Sequence, residues 1–515
     1  MSGLSTPATT PIGSLLQRLV RLYSPTVPLA ILAGVTLYLF VRSAGWPLIH
    51  DAPLMHYIAA RILAGDVPYR DIVDMNLPGT YLLHMLVLSM LGGSDAAWRA
   101  VDGGFVLLGG AAIARYCWPS NQRIALWAAM GFVLYHLSEG AVSMGQRDFV
   151  IVPLLVLALD SFARSLETAP SRRGYAAVGL LIGVAATIKP YVMLLLGALM
   201  LVHLVCHRRQ PRVVLGAAAL AAWSALPLAL TAAWLAAIGA LEPFLDSLFG
   251  YLLPYYGRLM RESLLALLIK AVLFVFIFTG LCVGLPMSLR WATLRQPRMW
   301  LAGIAVLYGM AHFIIQGKGW IYHLYPLLVF SIIFVALGCA AALRQGPRQR
   351  RLGLIAVLVA GICSSVAAYE SVAADISLAT AKPLVEPLVR DLQELRLGPN
   401  DTVQVLDTTE GGIHALLRLG ISQPTPFIYD FQFLHDRDAP LIQAMRARFI
   451  DALRARPPRA IVVFHTAWLP PHTLARFDSF PEFTDLLSNH YTISKVRHGR
   501  EDNSGYTLYL PKGDR

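Results

Sequence analysis

Long apolar runs alternate with short basic clusters along most of this chain. Stretches able to cross a bilayer lie near 27–44, 97–117, 122–138, 149–163, 174–188, 190–206, 213–238, 264–289, 299–316, 321–343 and 352–372. A further run, Leu77–Leu91, opens with Pro78-Gly79 and is short for a span. Whether it crosses decides the orientation of everything after it.

Charge placement arbitrates. If Leu77–Leu91 stays on one side, the inner loops hold Arg18 and Arg21, Arg115 and Arg123, Arg164, Arg172 and Arg173, Arg208, Arg209 and Arg212, Arg290, Arg295 and Arg298, and Arg344, Arg348, Arg350 and Arg351. Against those seventeen arginines stands one acid, Glu167. Cytoplasmic loops carry this excess of positive charge. The expected topology is therefore eleven spans, with the N-terminus inside and the C-terminus outside. Leu77–Leu91 and residues 52–64 then lie along the outer surface as interfacial helices. Polar residues unusual for a membrane protein converge on that face: His50–Gly79, Glu139–Asp148, Lys189, residues 239–262 and Gln316–His323.

From about Ala374 the pattern changes, dividing the chain into a membrane domain, 1–373, and a smaller domain, 374–515. TVQVLDT and AIVVFHT read as buried strands, GGIHALLRLG and PLIQAMRARFIDALRAR as helices, and YTISKVRHGREDNSGYTLYLP as a hairpin. Strands mixed with helices predict a small α/β domain on the outer, periplasmic side. The glycines after VLDTTE read as a simple turn rather than a nucleotide loop.

Composition agrees with this layout. The 515 residues are 56% hydrophobic and 14% charged, with mean hydropathy +0.57, where a soluble chain carries about a quarter charged. The net charge of +12 falls in orientation clusters, not on a phosphate-binding face, so no nucleic-acid partner is expected. Cys117, Cys206, Cys282, Cys339 and Cys363 lie in or beside apolar segments, with neither a disulfide framework nor zinc spacing. The N-terminal segment reads as an uncleaved anchor.

Candidate chemistry begins at His50–Gly79, which concentrates Asp51, Asp66, Asp71 and Asp74 in a charge-poor chain. Carboxylates beside a bilayer must face water. A solvated loop would satisfy that; so would a cavity in which Asp51, directly after a span, does chemistry with His50 and Asp74 nearby. Arg147 and Asp148 open a span in GQRDFVIVP, where the pair could cap the helix, bind a phosphate or hold Asp148 ionised. Glu139 and Gln146 are weaker candidates. Lys189 precedes a proline, which could be a hinge, but a lone lysine at that depth faces water or an anion. In QGKGWIYHLYP the glycines beside Lys318 allow close backbone approach, and Trp320, Tyr322 and Tyr325 supply an interfacial belt, with His323 at the next span. The loop LEPFLDSLFGYLLPYYGRLMRE reads either as a flap over an acceptor or lipid entrance or as interface packing.

An aspartate directly after the first span, PYRD and then PG before a short apolar helix, QRD in a later outer loop, KP, and a KGxxYHxxP-like run together resemble the C-type integral-membrane glycosyltransferases over roughly residues 25–340. These include protein O-mannosyltransferases and lipid A aminoarabinose transferases. The resemblance implies an all-α polytopic fold with outer juxtamembrane helices, in a bacterial inner membrane. It implies transfer, with inversion, of a hexose or pentose from a polyprenyl-phosphate donor to a glycan, lipid or protein. The family's loop carboxylate maps onto Asp51, as general base or as the carboxylate that orients the acceptor, with Asp148 the next candidate; Lys189, Lys318 and Arg147 are the expected ligands of the donor phosphate. Many members pair two acids where this chain has His50-Asp51. That departure puts a divalent-metal requirement in doubt and leaves the cofactor open, with a divalent metal as the candidate. A transporter or flippase of lipid-linked sugars is the rival reading; it predicts inverted repeats and charges near the membrane midplane. A scaffold for envelope assembly would leave the outer-face residues replaceable.

Overall fold

A computed structural model describes residues 26–168, 171–279, 295–377, 384–499 and 504–513. The expected N-terminal anchor before Thr26, the second half of the 264–289 run, and Cys282 lie outside them.

Helix α1 (Thr26–Arg42) is followed by two helices at one end of the bundle, α2 (Asp51–Leu63) and α3 (Pro78–Leu91). The bundle continues with α4 (Asp95–Cys117), α5 (Gln122–Ser138), α6 (Arg147–Glu167), α7 (Arg172–Ile188), α8 (Met193–Cys206) and α9 (Val213–Ala237). It closes with α10 (Leu264–Thr279), α11 (Pro297–Gln316), α12 (Tyr325–Leu343) and α13 (Pro347–Ser377). Each expected span thus has a helix at its position. Among the described residues, seven helical stretches are long and apolar enough to cross a membrane; Pro190–Cys206 and Leu264–Thr279 are shorter apolar helices, and α5 and α7 have seventeen residues each.

The short run Leu77–Leu91 stays at one end of the bundle. At its start Gly79 packs so closely on Thr187, in the last turn of α7, that an added Cβ would stand 2.2 Å from the hydroxyl. Just past its end, Trp98 covers Gly145, immediately before α6. The end of α7 and the start of α6 share one end of the bundle, so α3 begins and ends there.

At the opposite end, Asp160 is buried among arginines. Its carboxylate lies 2.7 Å from Arg115 Nε, 3.0 Å from Arg164 Nε and 2.8 Å from Arg298 Nη1, and Arg298 Nε also reaches Glu167 at 2.8 Å. Three arginines that read as orientation signals therefore also clamp α4, α6 and α11 together.

The C-terminal part adds α14 (Val385–Glu394), β1 (Val403–Leu406), α15 (Gly412–Leu419), α16 (Pro440–Ala455), β2 (Ala460–Phe464), α17 (Pro481–His490), β3 (Tyr491–His498) and β4 (Gly505–Pro511). The sheet order is β1-β2-β4-β3, with β1 and β2 parallel and β4 antiparallel to both its neighbours. Every residue of β1 and β2 is buried, as continuous apolar runs require when helices cover both faces.

This α/β unit is not a pendant. Its core runs on from Val403, Phe427 and Phe449 into Leu54, Tyr57 and Ile58 of α2. Val73 N donates to Pro426 O at 2.8 Å, and Arg448 Nη2 to Arg70 O at 2.6 Å. Nine of the thirteen residues of α2 are buried. The expectation of α2 lying along the membrane surface is therefore corrected: its apolar face is covered by protein.

Candidate active site

The site starts at a strained residue. His50 has φ 60° and ψ −124°, sparsely populated for any residue with a Cβ. That turn lets the chain leave the bundle and start α2 at Asp51, whose carboxylate gains from the helix N-terminus. Arg147 Nη2 donates to Asp51 Oδ2 at 2.6 Å, Gln146 Nε2 lies 3.4 Å from the same oxygen, and His50 Nδ1 lies 3.0 Å from Oδ1. Burial alone would push the Asp51 carboxyl up, but His50 and then Arg147 outweigh it and hold it well below the usual carboxylate range. The Asp51 charge in turn raises His50. His50→Gln removes the larger of the two lowering charges, so Asp51 protonates at a higher pH.

The other hand of Arg147 is fixed. Its Nη1 donates to Asn76 Oδ1 at 2.5 Å. Asn76 is itself held by Asp74, whose buried Oδ2 accepts from Asn76 N at 3.0 Å, Asn76 Nδ2 at 2.9 Å and Tyr81 Oη at 2.5 Å. Asp74 thus acts at one remove, through Asn76.

Asp148 points the other way. It is fully buried, with His312 Nε2 at 2.6 Å and Gln316 Nε2 at 3.0 Å from Oδ1, and Lys189 Nζ at 2.9 Å and His323 Nε2 at 4.0 Å from Oδ2. Lys189 Nζ also donates to Gln316 Oε1 at 2.8 Å. Asp148 therefore sits at a crossing of α6, α11 and the α7–α8 junction.

Lys318 is positioned by Gly317 (φ +71°) and Gly319 (φ +64°), left-handed conformations that favour glycine. Side chains of Arg261 and Glu262 occupy the space that Cβ atoms would need there. Its Nζ donates to Tyr256 O at 2.7 Å and to Leu259 O, and lies 4.5 Å from the centre of the Tyr256 ring. Burial and the nearby Arg261 push its pKa down to about 8.

Two cavities meet here. One, of about 390 Å³, contains His50, Asp51, Arg147 and Tyr322 and is roofed by Thr408, Thr409, Tyr429, Phe431 and Trp468 of the α/β unit. The other, of about 550 Å³, collects Lys189, Lys318, Arg258 and Arg261 beside His323. Met75, Asn76, Arg147, Tyr256 and Trp320 line both. Arg147 stands at the junction.

No protein-family model and no curated protein matches the chain. Solved structures do. ArnT from Cupriavidus metallidurans, in a crystal structure bound to undecaprenyl phosphate, superposes with TM-score 0.59 at 12% identity over 93% of this chain and 97% of that one. Its apo structure gives 0.59 at 13% with the same coverage. The archaeal oligosaccharyltransferase AglB from Archaeoglobus fulgidus, in complex with an inhibitory peptide and a dolichol-phosphate, gives 0.50 at 13% over 96% of this chain and 75% of that one. The chain has the C-type glycosyltransferase fold.

Within that fold the sequence candidates divide into two groups. His50, Asp51, Arg147 and Tyr322 share the first cavity; Lys189, Lys318, Arg147 and His323 share the second; Asp74 and Asp148 stand behind them. Sequence reasoning missed Asn76, Arg258, Arg261, His312 and the entire roof. His312 left a usable signal, an ionisable residue deep inside an apolar run. The roof left none, because its residues lie more than 300 positions from Asp51. A divalent metal fits poorly beside Asp51: the site offers one carboxylate and one histidine, and a guanidinium already occupies the carboxylate.

Proposed function

We propose that this protein is a membrane glycosyltransferase moving a sugar, with inversion, from a polyprenyl-phosphate donor to an acceptor hydroxyl at the periplasmic face of a bacterial inner membrane. The observation that carries the reading is the meeting of a carboxylate-bearing cavity and a basic cavity across Arg147. Donor phosphate in the basic cavity would face Lys189, Lys318 and Arg147, joined by Arg258 and Arg261. The acceptor oxygen, from the Asp51 side, forms its bond to the anomeric carbon as the bond from that carbon to the phosphate oxygen breaks. Cations placed where the leaving phosphate gains charge stabilise that transition state.

Asp51 receives the acceptor proton. While Arg147 holds it the carboxylate is a weak base. A donor phosphate that draws Arg147 away would remove one of the two charges that hold Asp51 low, and so raise its basicity when donor is bound, with His50 still beside it. ArnT and AglB, solved with polyprenyl-type phosphates, support the donor class.

Incubating purified protein with a panel of polyprenyl-phosphate sugars should release free polyprenyl phosphate from at least one; no release from any, with folded protein, would end the reading. Lys189→Ala and Lys318→Ala should each weaken donor use, and the double variant should not show the simple sum, because both cations serve one phosphate. Donor-concentration kinetics normalised to folded protein test this; unchanged kinetics in all three would remove the lysines from the site and leave the arginines, Arg147 with Arg258 and Arg261, as its ligands. Lys→Arg would not restore activity at a point-charge site. Reporter fusions after Arg173, Arg209 and Arg350 should read cytoplasmic and one after Asp401 periplasmic; a cytoplasmic Asp401 would overturn the orientation.

A further inference from the structure

We propose that the Asp51 cavity receives a carbohydrate acceptor, gripped by the α/β unit, so that the glycosylated hydroxyl belongs to a sugar ring. The inference rests on the glycosyltransferase reading and deepens it. Trp320, from the loop between α11 and α12, and Trp468, from the loop after β2, converge with ring centres 5.9 Å apart and planes tilted by 56°. Phe431 stands edge-on to Trp468 at 5.0 Å, and Tyr322 lies 5.5 Å from Trp320. Both indoles stay only partly buried, so two large aromatic surfaces that could have packed into the core border an open chamber instead.

The polar groups beside them are mostly neutral. Thr408 and Thr409 follow β1, and Thr408 Oγ1 donates to Asp430 Oδ1 at 2.9 Å, leaving its lone pairs to accept. Asn76 completes the rim. A sugar ring has the matching form: a face of weakly positive C–H groups that settles on the negative face of an aromatic ring, and a rim of hydroxyls that both donate and accept.

Rival acceptors fit less well. An acceptor phosphate would need spare cations, whereas the acidic and strongly basic side chains lining this chamber are Asp51 and Arg147, already paired, and the lysines line the other cavity. An extended peptide would need a strand edge to pair with. The chamber is lined by loop and helix-end residues, and its members nearest the sheet, Thr408, Thr409 and Trp468, follow β1 and β2 rather than lying in them.

The test needs no donor. Saturation-transfer NMR on the purified full-length protein in detergent would use methyl glycosides of glucose, galactose, mannose and N-acetylglucosamine, with a short serine peptide and a soluble alkyl phosphate as rivals. At least one glycoside should be saturated, most strongly at its ring C–H protons. The signal should fall about fivefold or more in Trp468→Ala, as loss of one aromatic contact predicts, and be largely kept in Trp468→Phe. Thr409→Val, which removes a hydroxyl without exposing the core, should also weaken it; melting curves confirm that each variant is folded. No saturation of any glycoside, or equal saturation in Trp468→Ala, overturns the inference. The two readings fail separately. Glycoside binding with no polyprenyl phosphate released from any donor would sink transfer and keep the subsite. Release driven by the peptide or the alkyl phosphate, without response to glycosides, would sink the subsite and keep transfer.

Discussion

Asp51→Asn is expected to cut turnover at saturating donor by about 100-fold or more, the scale of a lost general base, while the protein stays folded. Asparagine keeps the shape and can still accept from Arg147, but it removes the charge that balances the guanidinium and the oxygen that would take the acceptor proton. Because Arg147 is also held by Asn76, it should stay in place, so the loss should appear in kcat more than in donor KM. Single-turnover kinetics on folded protein decide the matter. Near-normal turnover would move the proton acceptor elsewhere and reduce Asp51 to a partner of Arg147.

The second large effect concerns stability. Asp148→Ala is expected to destabilise the bundle by about 3–5 kcal/mol, the usual result of removing one member of a buried ion pair. Lys189 would lose the carboxylate 2.9 Å away, and His312 and Gln316 would lose their shared acceptor. Replacing both partners, Asp148→Leu with Lys189→Met, should recover part of the loss, because no unpaired charge then stays buried. Melting in detergent reads both variants. If Asp148→Ala melted like the parent while turnover collapsed, Asp148 would belong to the chemistry and not to the scaffold.

Much of the membrane part was legible because lipid and charge impose one-dimensional rules. The positions of α1 and α4 to α13 follow from apolar length, and the placing of Leu77–Leu91 at one end of the bundle agrees with where the arginines fall. Asp51, Arg147 and Lys189 stood out because charge at a bilayer boundary is costly. The same logic could not separate Asp148 from Asp51: both open helices at the same end of the bundle, and only packing shows one carboxylate facing a cavity and the other facing Lys189. Lys318 shows a further limit. Its glycines were readable as a close approach, but two protons of its ammonium go to carbonyls of a segment some 60 positions away in sequence. The burial of α2 was hidden too, since an amphipathic helix reads alike whether lipid or protein covers it.

The strand order carries a consequence for how the protein is made. β4 lies between β2 and β3 although it follows both along the chain. While residues 505–511 are still on the ribosome or in the translocation channel, β2 and β3 have no edge in common, and the loops after β1 and β2 that carry Thr408 and Trp468 have no finished sheet to stand on. The helices around Asp51 and Lys189 are laid down hundreds of residues earlier. A half-made chain would therefore hold its carboxylate and its cations beneath an unfinished sheet until β4 takes its place between β2 and β3.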